Sequence, residues 1–157
     1  MANKGILIVA VSQHGLLPAA TYELITAGRQ LADALKEPLS AVVLSEKASA
    51  LAVDLASRGV EKVYTIEHPS LAGFTEDAFA KAAAAVIQKD GYGKILLASN
   101  VVGRALAARL AIQLKAGLAT DVCEIASNGT VLRPYFSGNL LATVEFKSPL
   151  AVITLAP

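Results

Sequence analysis

The sequence has no tryptophan and one cysteine, Cys123. A single thiol can neither close an internal disulfide nor supply a cysteine cluster for a metal, and a reducing compartment is the natural setting. Charge is also scarce: Asp, Glu, Lys and Arg make up 17% of 157 residues, with a net charge of +1. Acids and bases are mixed along the chain. There is no basic block and no stripe of interleaved aromatic and basic residues, so nucleic acid is disfavoured as a partner. Apolar residues fill the gap, at 54% of the chain with a mean hydropathy of +0.52. That balance would suit a membrane protein. The richest stretch, Ile95 to Leu118, is nonetheless broken by Asn100, Arg104, Arg109 and Lys115, and no run of about 18 uncharged apolar residues is present to span a bilayer. Met1-Ala2-Asn3-Lys4 leads into a strand-like run rather than the apolar region and small-residue cleavage site of a signal peptide. A cytoplasmic location is therefore expected. The excess apolarity then requires strands buried on both faces, or a large partner interface.

Short β-type runs alternate with helical ones through the first two-thirds of the chain. Gly5 to Val11 reads as a strand, and Pro18 opens a helix to about Lys36, its missing N–H costing nothing in the first turn. Ser40 to Leu44 is a second strand, after which Ser45 is a candidate cap for a helix to about Ser57. Gly59 suits a left-handed helix end. Val60 to Ile66 is a third strand, and Thr75 caps a helix to about Lys89. Lys94 to Ala98 is the fourth strand, followed by a helix over Val102 to Lys115. The order β-α-β-α-β-α-β-α predicts a Rossmann-like, doubly wound parallel sheet of the adenine nucleotide alpha hydrolase-like type. After Gly117 the period changes. Strands over 120–126, 130–136, 140–146 and 151–155 are joined by Ser127-Asn128-Gly129, Ser137-Gly138-Asn139 and Lys147-Ser148-Pro149. Asn-Gly is a strong tight-turn signal, so the tail predicts an antiparallel β-meander. The expected organisation is one domain over residues 1–157, with its core at about 4–118 and the meander at about 119–156.

Sites for chemistry are few. Walker and dinucleotide-binding glycine patterns are missing, and Gly91-Tyr92-Gly93 precedes its strand instead of following it, which makes it a turn. In such a sheet ligands sit beyond the carboxyl ends of the strands where the order reverses. For the order 3-2-1-4, that crevice lies between Ser12-Gln13-His14-Gly15 and Ser99-Asn100-Val101-Val102-Gly103. Ser99, Asn100 and Gly103 are thus weak candidates for holding a nucleotide at a helix N-terminus, although helix capping alone explains Ser99 or Asn100. Arg104 and Arg109 lie about 140° apart around their helix, and one of them is expected to meet Asp121 in a partly buried ion pair. The alternative is an interface anchor, since arginine is enriched in interfaces. His14 and His68 lack metal-spaced neighbours. Cys123, in an expected strand, reads as a buried inert thiol. There is no GxSxG elbow and no paired carboxylate stands out, so the chain does not read as an enzyme.

Three segments, in order over nearly the whole chain, resemble a known family. They are Ile6-Leu7-Ile8-Val9-Ala10 with Leu17-Pro18-Ala19-Ala20-Thr21, then Leu96-Leu97-Ala98-Ser99 with Gly103-Arg104-Ala105-Leu106-Ala107-Ala108-Arg109-Leu110-Ala111 and Gly117-Leu118-Ala119-Thr120-Asp121-Val122, and finally Arg133-Pro134-Tyr135-Phe136-Ser137-Gly138-Asn139-Leu140-Leu141-Ala142-Thr143-Val144. Together they resemble the amino-terminal domain of electron transfer flavoprotein α subunits. The resemblance implies a scaffold that packs against a β subunit in a heterodimer. It places FAD mainly in a second domain of the α subunit, which these residues do not contain, and AMP in the β subunit. The assembly would carry electrons from acyl-CoA or other dehydrogenases to a quinone reductase or another acceptor. On this reading Arg104, Arg109, Asp121, Arg133, Gly138 and Asn139 serve ion pairing, turns and subunit contact. The chain alone binds no cofactor, and no flavin ligand is assigned to it. The alternative is a stand-alone adenine-nucleotide-binding domain of the same fold.

Overall fold

The computed structural model describes residues 3–156. Six strands form one parallel sheet in the order β3-β2-β1-β4-β9-β5: β1 (Ile6–Val11), β2 (Leu39–Ser45), β3 (Lys62–Glu67), β4 (Lys94–Ala98), β5 (Gly117–Val122) and β9 (Ala151–Leu155). The central strands β1, β2, β4 and β9 are mostly apolar because helices or a second sheet cover both of their faces. Ile6, Ile8 and Ala10 point to one side, onto α1 (Ala19–Leu35) and α2 (Ser49–Ser57). Leu7 and Val9 point to the other, onto α3 (Glu76–Asp90) and α4 (Val101–Leu114).

The expected order 3-2-1-4 holds, and two further strands extend the sheet beyond β4. The tail is divided rather than continuous. β6 (Glu124–Ile125), β7 (Val131–Tyr135) and β8 (Leu140–Val144) form the antiparallel meander, a separate three-stranded sheet in that order. The first and last strands of the tail instead join the parallel sheet, with β9 inserted between β4 and β5. The physical reason is visible in β9 itself: Ala151, Val152, Ile153 and Thr154 are all buried, the signature of an interior strand instead of a half-exposed one. The small sheet packs on the α1 side through Val131, which is fully buried, and through the partly buried Val144 and Phe146.

Local signals mostly act where the sequence places them. Gly59 lies at φ +88 after α2, and Gly91 at φ +72 ends α3. Two caps differ. Ser45 ends β2, where its hydroxyl accepts from Ser12 Oγ at 2.8 Å, and α2 starts only at Ser49. The carboxylate of Glu67, at the end of β3, takes over the capping: it accepts from the Ala48 and Ser49 amides at 2.7 and 2.8 Å and from Ser49 Oγ at 2.8 Å. These bonds hold its pKa below the usual glutamate value, led by the serine hydroxyl. Thr75 precedes α3 with no side-chain cap bond.

Candidate functional site

The switch point of the sheet lies between the carboxyl ends of β1 and β4, with α4 starting just beyond. Asn100 is the N-cap of α4, and its Oδ1 accepts from the Gly103 amide at 2.7 Å. The amide best placed to hold an anion is thereby already satisfied. Gly103 serves close approach rather than ligand space, since a Cβ there would lie 1.9 Å from the Ala98 carbonyl oxygen. Between Val9, Gln13, Thr21 and Gly103 remains a void of about 20 Å³, room for about one water. Ligand pockets usually run to several hundred Å³; Ser12, His14 and Gly15, on the other side of the crevice, line a separate cavity of about 140 Å³ with Ser45, Glu46 and Lys47.

Next to it, the carboxyl ends of β4, β9 and β5 carry a polar network. Ser99 Oγ donates to the Asp121 carboxylate, and Thr154 Oγ1 lies 3.2 Å from Ser99 Oγ. Arg104 Nη1 pairs with Asp121 at 3.2 Å and also donates to the Ser99 carbonyl at 3.3 Å. Thr154 Oγ1 in turn accepts from the Asp121 amide at 3.0 Å. Asp121 is held at φ +55, at the register shift of β5. This left-handed conformation is uncommon for a residue with a Cβ, and Asp tolerates it better than most. The Arg104–Asp121 pair is thus the one the sequence anticipates. With side chains 44% and 43% exposed its own electrostatic contribution is small, and its role is to pin α4 to β5. Arg109 turns the other way, as the 140° separation requires, and pairs with Asp77 on α3.

The remaining expected residues lie on the β7–β8 hairpin, away from the crevice. Arg133 stacks over the Tyr135 ring at 4.6 Å, and its Nε is buried without a hydrogen-bond partner. Phe136, Ser137 and Gly138 all have positive φ, at +49, +55 and +87, and the Asn139 amide closes the turn on the Phe136 carbonyl at 3.2 Å. Tyr135, Phe136, Leu140 and Leu141 are exposed, an apolar tip that strand periodicity cannot reveal. Cys123 departs from expectation. The chain leaves the parallel sheet after Val122, so Cys123 is exposed between β5 and β6, its thiol 3.2 Å from the Leu132 carbonyl. His68 accepts from the Ser70 amide and caps a short 3₁₀ turn. Among the described residues, no group of three or more His, Cys, Asp and Glu could hold a metal, and no helix is long and apolar enough to cross a membrane.

Residues 6–157 match the electron transfer flavoprotein domain family. The chain belongs to that family. Several of its curated relatives are named electron transfer flavoprotein subunit alpha. Over 90% of its length it is 34% identical to the electron transfer flavoprotein subunit alpha of Thermoanaerobacterium thermosaccharolyticum, of which it covers 44%. Over 99% of its length it is 26% identical to the corresponding subunit of Bacillus subtilis, of which it covers 48%. It is also 30% identical to the LctC subunit of a lactate dehydrogenase (NAD(+),ferredoxin) from Acetobacterium woodii, covering 35% of that protein. The chain thus spans less than half the length of these relatives. The third name ties one relative to a dehydrogenase complex, whereas the first two are named as electron carriers.

Proposed function

We propose that this electron transfer flavoprotein chain is the amino-terminal scaffold and subunit-interaction part of an α subunit. It pairs with a β subunit in a heterodimeric, cytoplasmic electron carrier. In the assembled protein FAD is held mainly by another domain and AMP by the β subunit. Electrons pass through the complex from acyl-CoA or other dehydrogenases to a quinone reductase or another acceptor, and this chain contributes no catalytic group. The observation that carries the reading is a contrast. The crevice that would hold a ligand in this fold is filled to about 20 Å³, while apolar side chains are displayed on the hairpin. A ligand-binding module would show the reverse, and exposed apolar surface of this kind marks interaction sites.

The test is to purify the chain alone and mixed with a β subunit, measuring flavin absorbance and complex formation. The expected result is a colourless chain that forms a 1:1 complex. A yellow chain with stoichiometric flavin would overturn the placement of the cofactor. Failure of the wild-type chain to bind the β subunit would overturn the scaffold role.

The stand-alone nucleotide reading has the filled crevice against it. Calorimetric titration with AMP and ATP is expected to show no binding at micromolar concentrations.

A further inference from the structure

The seam between the two sheets opens into a cleft of about 380 Å³ at the amino ends of β4 and β9, the opposite end of the parallel sheet from the filled crevice. Ligand pockets run from about 300 Å³ upwards. The walls come from Lys94 at the start of β4, from the β6–β7 turn with Asn128, and from Glu145, Phe146 and Ser148 between β8 and β9. These walls are fixed. Ser148 Oγ donates to the Leu150 carbonyl and accepts from the Gly117 amide, both at 2.8 Å, which ties the segment after β8 to β5. Asn128 Oδ1 accepts from the Thr130 amide at 3.0 Å and from Thr130 Oγ1 at 2.8 Å, which locks the turn.

Two opposite charges line the cleft, and neither is neutralised. Lys94 and Glu145 do not pair with each other, and among the described residues neither has another ion-pair partner. Lys94 is not free to swing towards one. A Cβ on Gly129 would lie 2.8 Å from Lys94 Cε and 3.3 Å from its Nζ, so the Asn-Gly turn runs directly over the lysine stem. The half-buried side chain is thereby held at the wall. Much of the rotamer freedom that a ligand would otherwise have to remove is already lost. With Asn128 Oδ1 turned to Thr130, the two Nδ2 hydrogens of the same amide remain as further donors. Phe146, partly buried, adds an apolar wall.

A lone cation would call for an anion, and a lone carboxylate for a cation. Both together, unpaired in one cleft, call for a ligand that carries both charges. We infer that this cleft binds a small zwitterion of the amino-acid class, its carboxylate on Lys94 Nζ and Asn128 Nδ2 and its ammonium on Glu145. Charge-assisted hydrogen bonds at the two ends are the strong kind. Holding both ends also sets selectivity, because a simple carboxylate or amine satisfies one wall and leaves the other charge unpaired. The site is independent of the proposed scaffold role, and either can fail without the other.

Titration of the whole chain with β-alanine, followed by amide NMR, tests it. The Gly129 and Thr130 signals should shift and saturate with a dissociation constant of about 1 mM or lower, within reach of so small a ligand. Acetate and methylammonium should each bind about tenfold more weakly or worse, for want of one charge-assisted hydrogen bond. K94Q and E145Q should each weaken β-alanine by a similar factor. Glu145 is exposed and lies beyond β8, so E145Q keeps the test alive if K94Q misfolds. The double variant K94E/E145K should regain the binding that K94E alone abolishes, because β-alanine can turn end for end. A merely structural role for either residue would not produce that recovery. Acetate binding as tightly as β-alanine would make this an anion site and overturn the inference. Gly129 and Thr130 signals that stay still at a large excess of β-alanine would show a seam filled by solvent alone and overturn it equally.

Discussion

Gly103 and Asn100 carry the motif most easily taken for a nucleotide loop, and both are occupied with holding α4 against β4. The two roles separate by measurement. An alanine at position 103 places its Cβ 1.9 Å from the Ala98 carbonyl. Backbone cannot retreat as a side chain can, so G103A is expected to cost about 3 kcal/mol or more, at the upper end for overpacking. N100A loses one cap bond and should cost about 1 kcal/mol. Urea unfolding monitored by circular dichroism checks both. A G103A variant as stable as wild type would show that α4 can slide and that the crevice is less fixed than the geometry indicates. Glu67 gives a pH-dependent counterpart. Its folded pKa is depressed, so its stabilisation is fully present above the ordinary glutamate pKa of about 4.3 and disappears as pH falls through the folded value. E67Q should therefore melt below wild type at pH 7, with the difference shrinking towards pH 3. Parallel melting curves across that range would rule out an ionic cap.

At the scale of elements, β9 decides how the chain closes. Among the described residues it forms the hydrogen-bonded link in the sheet between β4 and β5, and its Val152 and Ile153 are fully buried, one on each face. Truncation after Lys147 would leave β5 detached and α4 half uncovered, so the shortened chain is expected to remain unfolded or aggregate. A truncated chain with native dichroism and cooperative melting would contradict this. The same strand marks the limit of what was legible beforehand. Residues 5–115 announce their elements because each apolar run sits between a Pro, Gly or Asn-type punctuation, and right-handed crossovers leave few ways to order them. The tail offers equally clear turns at Asn128-Gly129 and Ser137-Gly138, which suggest neighbours in sequence pairing in space. Turn chemistry is local, however, and cannot report that Ala151–Leu155 returns 57 residues later to lie beside Lys94–Ala98. Only its mostly apolar character hints at that. Arg104 with Asp121 was readable because both lie at element ends, whereas Glu67 as a cap for α2 was not. Its partners are 18 and 19 residues away in sequence, across the sheet edge.

For the molecule as a whole, the question is whether two sheets make one folding unit. On the proposed scaffold role the chain must hold its partner in fixed relation, and a hairpin that swung freely would not. We propose that the two sheets do. One apolar cluster runs from α1 and α2 through the parallel sheet to Val131 and Val144 of the small sheet and Phe146 just after it, and Val131 is as buried as the core strands. Unfolding should then be a single cooperative transition, as for most domains near this size. The tyrosines allow a direct check, because Tyr64 and Tyr92 report the core beneath α3 while Tyr135 reports the hairpin. Tyrosine fluorescence of the wild type and of a Y135F variant should give the same urea midpoint as far-UV dichroism. The exposed tip at 136–139 should nevertheless exchange its amides early through local opening, without the base of the hairpin following. Separate midpoints for Tyr135 and for the core would mean that the small sheet is an independent module. The hairpin's apolar tip would then be presented on a mobile arm, and the energy of docking would have to offset the cost of ordering it.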